Sequence, residues 1–359
     1  MAAPAFNELT ISATRPLANG IALSFAVPDE LKSNYQFIPG QYLTLRSQID
    51  GEDIRRSYSI CSQHNDNTLE VGIKQVPDGR FSNFATTLKA GDQLQVMTPE
   101  GRFTADIGGR HNYLLIAAGS GITPCLSIAG SVLADEPDSH ITLLYGNRNT
   151  AGIMFRDDLD ALKNLYTERF MLTHILSAEK QDVENFNGRI DADKLKWFND
   201  NQLINLNACD AVYLCGPHEM IESCTEALVS LGMEKQHIKF ELFTTNTGQT
   251  EKRKPAPMRS AESDKKGTPV TIILDGAEHS IKVDSSKETV LDAAQKAGLD
   301  LPFSCAGGMC STCRCKVASG ETEMDLNFSL ADWEVTARFT LACQTRPLSD
   351  NVVLDFDAT

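Results

Sequence analysis

The sequence predicts a multidomain chain of mixed class: an antiparallel all-β domain, a doubly wound α/β domain, and a small third domain carrying clustered cysteines. Three changes of pattern predict it. From Ile21 to about Thr98, short apolar–polar alternations are separated by turn signals, the mark of half-buried antiparallel strands in a barrel or sandwich. From Tyr113 the apolar runs become continuous, as expected of strands buried on both faces of a parallel sheet. From Thr268 a strand pattern restarts and encloses Cys305, Cys310, Cys313 and Cys343.

The elements follow in order. Ile21, Leu23, Phe25 and Val27 alternate with small or polar residues, as do Leu43 and Leu45, then Leu69, Val71 and Ile73, then Leu94 and Val96. Pro39-Gly40, Asp78-Gly79, Ala90-Gly91 and Pro99-Glu100-Gly101 mark the turns. Buried strands are expected at 113–118, 141–145, 171–176 and 211–215. Helices are expected from Thr123-Pro124, over 155–165, and over 218–231, where Gly232 stops the last. Strand–helix alternation of this kind means a doubly wound domain. Residues 247–267 are almost devoid of apolar side chains and carry Lys252, Arg253, Lys254, Arg259, Lys265 and Lys266, the composition of a solvated tether rather than a basic binding patch. Beyond it, 270–274 and 280–283 read as a hairpin around Asp275-Gly276, and 289–297 as a helix ended by Gly298. The expected domains are therefore 1–107, 108–246 and 268–359, with 247–267 as linker.

At 359 residues the chain has room for two or three cores. Its formal net charge of −15 argues against nucleic acid as a partner. No basic segment followed by an apolar run opens the chain, and no stretch of about 18 apolar residues occurs, so neither a signal peptide nor a membrane span is expected. Ten cysteines without a signal peptide suit a reducing compartment, the cytoplasm.

Cys305, Cys310 and Cys313 have C-x4-C-x2-C spacing, with Cys343 distant. That is the plant-type spacing of a 2Fe–2S cluster. Gly307 and Gly308 suit a loop that turns tightly and brings N–H donors to sulfur. A zinc site would more usually pair C-x2-C with a second close pair or with histidines. A one-electron centre needs a source, and four other stretches offer one. Arg56-Ser57-Tyr58-Ser59 provides a cation, an aromatic face and a hydroxyl donor suited to a flavin dinucleotide; alone, such residues are common on strands. Gly79-Arg80-Phe81-Ser82 offers a phosphate-holding turn or an ordinary hairpin turn. Gly119-Ser120-Gly121-Ile122-Thr123-Pro124 follows a buried strand, where glycines admit a pyrophosphate to a helix N-terminus. The acidic ribose-binding residue of a standard Rossmann fingerprint is not evident at its spacing. Cys215-Gly216-Pro217-His218 ends the last buried strand, fitting either a thiol beside a nicotinamide or a core cysteine before a turn; His218 reads as a helix start. Phe240-Glu241-Leu242-Phe243 offers a carboxylate and a ring, or plain core packing.

Taken in this order, the motifs resemble those of the ferredoxin–NADP reductase superfamily with a fused C-terminal plant-type ferredoxin domain. Within it the chain is similar to the reductase components of bacterial phenylacetyl-CoA epoxidases, which are multicomponent di-iron oxygenases. Arg55 through Ile60, Tyr145-Gly146-Asn147-Arg148, Cys310 through Cys315, Asn327 through Leu330 and Val353 through Asp357 carry the narrower likeness. The resemblance implies a Greek-key FAD barrel, an α/β nicotinamide domain and a β-grasp ferredoxin domain.

It also implies roles. Arg56 would bind the FAD pyrophosphate, Tyr58 would pack on the isoalloxazine, and Ser59 would hydrogen-bond near flavin N5. Gly79 and Ser82 would help hold the flavin phosphates, with Lys74 assisting. Gly119, Gly121, Thr123 and Pro124 would cradle the nicotinamide cofactor's pyrophosphate. Cys215, followed by Gly216 and Pro217, and Glu241 would flank the hydride-transfer position, with Phe243 covering the flavin. Cys305, Cys310, Cys313 and Cys343 would hold the cluster. The family's Ser-Arg pair for the 2′-phosphate of NADP stands here as Ser177-Ala178; Arg148 or Arg189 could restore the charge, and NADPH rather than NADH is the expected donor. The expected activity is transfer of electrons from NADPH through FAD and the cluster to an oxygenase component. The alternatives are another acceptor, such as a Rieske oxygenase or a hybrid-cluster protein, and a redox-sensing module without turnover.

Overall fold

The computed structural model describes residues 6–66, 68–243 and 267–358. Apart from Gly267, the stretch read as a linker, with its six cations, lies outside the described residues. These fall into two compact units, Phe6–Phe243 and 267–358.

The first unit opens with six antiparallel strands, β1 (Phe6–Leu17), β2 (Gly20–Ala26), β3 (Tyr42–Ile49), β4 (Glu52–Ser59), β5 (Leu69–Lys74) and β6 (Gln93–Met97), in the order β4-β3-β6-β1-β2-β5. A bridge from Ile60 to Val71 and a 2.9 Å hydrogen bond from Cys61 N to Glu70 O join the two edges. The sheet is thus a closed barrel, which leaves no bare strand edge. Its core is Leu9, Leu23, Leu43, Leu45, Val71, Ile73 and their neighbours. Alternation becomes clear in the sequence only at Ile21, whereas the barrel begins at Phe6. In β1 only Leu9 and Ile11 are buried, so the strand carries little of the periodic signal. The turn expected at Asp78-Gly79 forms, with Gly79 N donating to Val76 O at 3.1 Å, and Gly79 then caps a short helix, α1 (Arg80–Ala85).

A five-stranded parallel sheet follows: β7 (Asn112–Ala118), β8 (His140–Asn147), β9 (Phe170–Leu176), β10 (Ala211–Gly216) and β11 (Ile238–Leu242), in the order β11-β10-β7-β8-β9. Helices α2 (Ile122–Asp135), α3 (Arg156–Leu165), α4 (Ala192–Asp200) and α5 (His218–Ser230) connect the strands. Separate clusters of buried side chains cover the two faces of the sheet. Strand order reverses between β7 and β10, and at such a switch point the crevice beyond the strand ends receives ligands.

The barrel is fastened to this layer by contacts distant in sequence. Arg15 pairs with Glu70 at 3.1 Å and with Asp158 of α3 at 2.8 Å, and its guanidinium lies 5.4 Å from the Phe155 ring centroid. Beside it β5 runs so close that a β-carbon on Gly72 would stand 2.6 Å from Phe155 Cζ and 2.9 Å from Thr123 Cγ2.

The second unit is a mixed sheet in the order β13-β12-β18-β14-β16, formed by β12 (Thr268–Leu274), β13 (Ala277–Val283), β14 (Arg314–Ser319), β16 (Phe339–Leu341) and β18 (Val352–Asp355). A separate ribbon pairs β15 (Thr322–Met324) with β17 (Thr345–Pro347). Only β12 and β18 are parallel in the larger sheet. Helix α6 (Val290–Lys296) packs its buried Val290, Leu291, Ala293 and Ala294 into this core. It starts at a capping box in which Thr289 and Asp292 exchange hydrogen bonds, which satisfies otherwise orphaned N–H groups. A one-turn helix, α7 (Asp332–Thr336), precedes β16. This is a β-grasp arrangement.

Candidate functional site

The switch point brings two sequence-predicted stretches together. Gly119 through Gly121 leaves the end of β7, and Cys215 through Pro217 leaves the end of β10, with Cys215 in register with Ala117. Gly119 has φ +56°, and the buried Tyr145 hydroxyl donates to its carbonyl at 2.9 Å. Gly121 is required by crowding: a β-carbon there would stand 2.5 Å from the Cys215 carbonyl carbon and nearer still to its oxygen. Thr123 is buried and donates to Ser120 O at 3.1 Å, closing the turn from within. Pro124 lies in the first turn of α2, where a missing N–H costs nothing. Pro217 caps α5.

Glu241 lies opposite Cys215 on β11 and accepts a hydrogen bond from Ser59 Oγ at 3.0 Å. Those residues come from the barrel and the parallel layer, 182 positions apart. Loss of solvent pushes the Glu241 carboxyl up to about 7, and the Ser59 hydrogen bond only partly offsets it. Cys215 is fully buried, and burial, then Glu241 and Cys125, hold its thiol protonated well above the ordinary range. Phe243 is partly buried against the core of the parallel layer, whereas Phe240 is exposed.

On β4, Arg56 donates to the Arg55 carbonyl at 2.7 Å, and Tyr58 sits with its ring centroid 5.7 Å from that of Phe81 on α1. Burial raises the Tyr58 hydroxyl, which stays neutral; the Arg56 charge opposes that shift. Ser82 Oγ accepts from Val76 N at 3.3 Å and donates to Gly79 O at 3.1 Å, so it rigidifies the loop that carries Gly79.

Lys74, expected to assist Gly79 and Ser82, reaches the Gly119 turn. Its Nζ would lie 3.2 Å from a β-carbon at Gly119. Its pKa is lowered by desolvation first and then by the Arg148 charge. Lys74 thus brings a cation to the Gly119 turn, an arrangement that suits a phosphate. Arg189 is engaged by Glu219 at 3.2 Å on the surface. The sequence held no sign of the Tyr145 tether, because its acceptor is a backbone carbonyl 26 residues away.

In the second unit the cysteines form a different kind of group. Among the described residues no three of His, Cys, Asp and Glu make the ligand set of a single metal ion. The thiols instead act on one another in two pairs, Cys305 with Cys310 and Cys313 with Cys343. The pairs adjoin, since Cys310 also acts on Cys313. Such a donor set fits a cluster with two thiolates per iron. Gly307 N and Met309 N point at Cys305 Sγ at 3.3 and 3.4 Å, and Thr312 Oγ1 at Cys310 Sγ at 3.2 Å. Donors of this kind stabilise thiolate charge; the Cys310 hydrogen bond, followed by those N–H groups, holds Cys305 below the usual thiol range. Positive φ falls on Gly308, as expected, but also on Ala306 and Ser311 rather than on Gly307. Non-glycine residues in that region mark a loop held under constraint.

Comparison with known proteins places three family models along the chain: an oxidoreductase FAD-binding domain over 12–105, an oxidoreductase NAD-binding domain over 115–226 and a 2Fe-2S iron-sulfur cluster binding domain over 272–348. A 1,2-phenylacetyl-CoA epoxidase component from Escherichia coli (strain K12) is 41% identical over 359 residues, covering 98% of each chain. The ferredoxin reductase component of 3-ketosteroid-9-alpha-monooxygenase from Rhodococcus rhodochrous is 32% identical, covering 97% of this chain and 96% of the relative. Phthalate dioxygenase reductase, a solved structure, shares the fold with a TM-score of 0.57 at 22% identity, each chain covered to 98%.

Proposed function

This chain belongs to the ferredoxin–NADP reductase superfamily with a C-terminal plant-type ferredoxin domain, the family of oxygenase reductase components, and we propose that it passes electrons from NADPH to the di-iron oxygenase component of a phenylacetyl-CoA epoxidase. The observation that carries the reading is the Ser59–Glu241 hydrogen bond beside Cys215 at the sheet's switch point. It joins the flavin barrel to the nicotinamide layer at one spot.

When bound, FAD and the 2Fe–2S cluster together turn a two-electron hydride into single electrons that an oxygenase accepts. The residues supply position and charge. Tyr58 provides an aromatic wall, and Arg56 a cation for the flavin pyrophosphate. The Gly79 turn, stiffened by Ser82, supplies N–H donors. Ser59 Oγ donates to Glu241 Oε2, and with its carboxyl near 7 Glu241 changes charge around neutral pH, so its protonation state beside Cys215 follows the pH there. Cys215, uncharged and small, leaves room for a nicotinamide ring, with Gly216 and Pro217 turning the chain away. Gly119, Gly121, Thr123 and Pro124 shape the pyrophosphate turn, Lys74 balances its charge, and Arg148 meets the 2′-phosphate. Cys305, Cys310, Cys313 and Cys343 hold the cluster. The protein works in the cytoplasm; no helix among the described residues is long and apolar enough to cross a membrane.

Steady-state assays with NADPH or NADH and purified oxygenase components test this. NADPH with the phenylacetyl-CoA epoxidase component gives the highest kcat/KM; a preference for a Rieske oxygenase or a hybrid-cluster protein would overturn the assignment. Arg148→Ala raises KM for NADPH about tenfold or more, the size of a lost charged hydrogen bond, and raises KM for NADH less. Equal effects on both nucleotides remove Arg148 from the 2′-phosphate. Tyr58→Ala weakens flavin binding roughly tenfold or more, since an aromatic face is lost, while iron content stays at the wild-type level. Full flavin retention in that variant counts against the barrel site.

A further inference from the structure

We propose that the exposed Trp333 of α7 anchors the surface on which the oxygenase component docks. This rests on reading the chain as an oxygenase reductase. Among the described residues of the second unit, Trp333 at 64% and Val335 at 43% are the large hydrophobic side chains left exposed. Tryptophan is enriched among residues that dominate binding energy.

The helix that presents them is held rigidly. Glu334, between the two, is fully buried and pairs with Arg314 at 2.8 Å. Its other oxygen accepts from Ala331 N at 3.0 Å. Arg314 lies 3.4 Å from the centroid of the Phe339 ring and directly follows Cys313. On the other side, Phe328 N and Ser329 Oγ donate to Gly308 O, inside the cysteine loop, at 3.1 and 3.2 Å. The apolar anchor is therefore fastened to the cysteine loop from two directions. A partner seated on it binds an element braced against the cysteine loop.

Charge selects the occupant. Residues 268–359 carry 14 Asp and Glu against 7 Lys and Arg, a net −7. A second copy of this unit would bring the same sign and be repelled. The complementary partner is a protein with an apolar pocket rimmed by Lys and Arg, and steering by opposite charge speeds its arrival.

The test compares wild type, Trp333→Ala and Trp333→Phe in NADPH-driven reduction of the di-iron component of phenylacetyl-CoA epoxidase, with ferricyanide as a small acceptor. Trp333→Ala is expected to lower kcat/KM for the di-iron component about tenfold or more. Its ferricyanide rate and cluster absorbance stay at wild-type values, and Trp333→Phe recovers most of the loss. Added salt lowers the wild-type kcat/KM for the component. Equal delivery by Trp333→Ala and wild type overturns this proposal alone, as does loss of cluster absorbance in both variants. Dissociation of a wild-type dimer by Trp333→Ala with delivery unchanged also overturns it, because a second copy then covers the face. A wild-type protein that reduces no oxygenase component overturns the functional reading and this proposal with it.

Discussion

Cys313→Ser is expected to abolish the 2Fe–2S cluster, while Cys315→Ser keeps it. The two cysteines differ by one intervening residue, so composition cannot separate them, but their places in the fold do. Cys313 precedes β14, and its thiol pairs with that of Cys343. Its carbonyl accepts from Ala342 N at 3.0 Å, which ties the cysteine loop to the segment carrying Cys343. Cys315 is inside β14, opposite Thr340 and fully buried among the apolar residues of the core. Burial raises its thiol far above the ordinary range, so it stays protonated and behaves as a small hydrophobe. A serine at 313 removes one thiolate of four, and iron per chain falls towards zero. A serine at 315 buries a hydroxyl at a cost of roughly 1–3 kcal/mol where it finds no partner, which lowers Tm without removing iron. Iron analysis and visible absorbance of both variants decide between these; equal loss in the two would overturn the ligand assignment.

The contrast shows which parts of the molecule are legible from sequence. Cys305 to Cys313 is read easily because a cluster imposes local spacing, and chain geometry alone converts that spacing into a loop. The Gly119–Gly121 turn is read for the same reason: a buried strand, a turn and a helix start occupy one short segment. The barrel's first strand is harder, since only two of its side chains enter the core. What lies beyond sequence reading is pairing across distance. Nothing local to Arg15 announces that it will join Glu70 and Asp158, or that Gly72 must leave room for Phe155. Lys74 shows the consequence for the site. Its strand position is plain from the Leu69–Ile73 alternation, but that the ammonium faces Gly119 depends on how β5 packs against the parallel layer. The Ser59–Glu241 contact is of the same kind: each residue is a candidate alone, and only the fold makes them partners.

Gly121→Ala is expected to cripple nucleotide-dependent turnover while sparing the cluster. The added methyl would collide with the Cys215 carbonyl group and come within 3.1 Å of Gly216 N. Neither obstacle is the end of a flexible side chain. Both are backbone at the end of β10, a strand buried along its whole length and hydrogen-bonded on both edges. Relief requires the turn after β7 or the end of β10 to move, and overpacking of this sort costs about 1–3 kcal/mol in stability. The functional cost is larger, because the same shift displaces Cys215 from Glu241 and the Gly119 turn from Lys74. A misplacement near 1 Å at a reacting centre costs on the order of 10²-fold in rate. The kcat/KM for NADPH should therefore fall by about two orders of magnitude with ferricyanide as acceptor, while cluster absorbance is unchanged, since the cysteines belong to the other compact unit. Serine at the same position brings the same β-carbon and should fail as badly. Wild-type turnover in Gly121→Ala would mean that the nucleotide does not depend on the junction of β7 and β10, and the placement of the hydride-transfer position there would have to be abandoned.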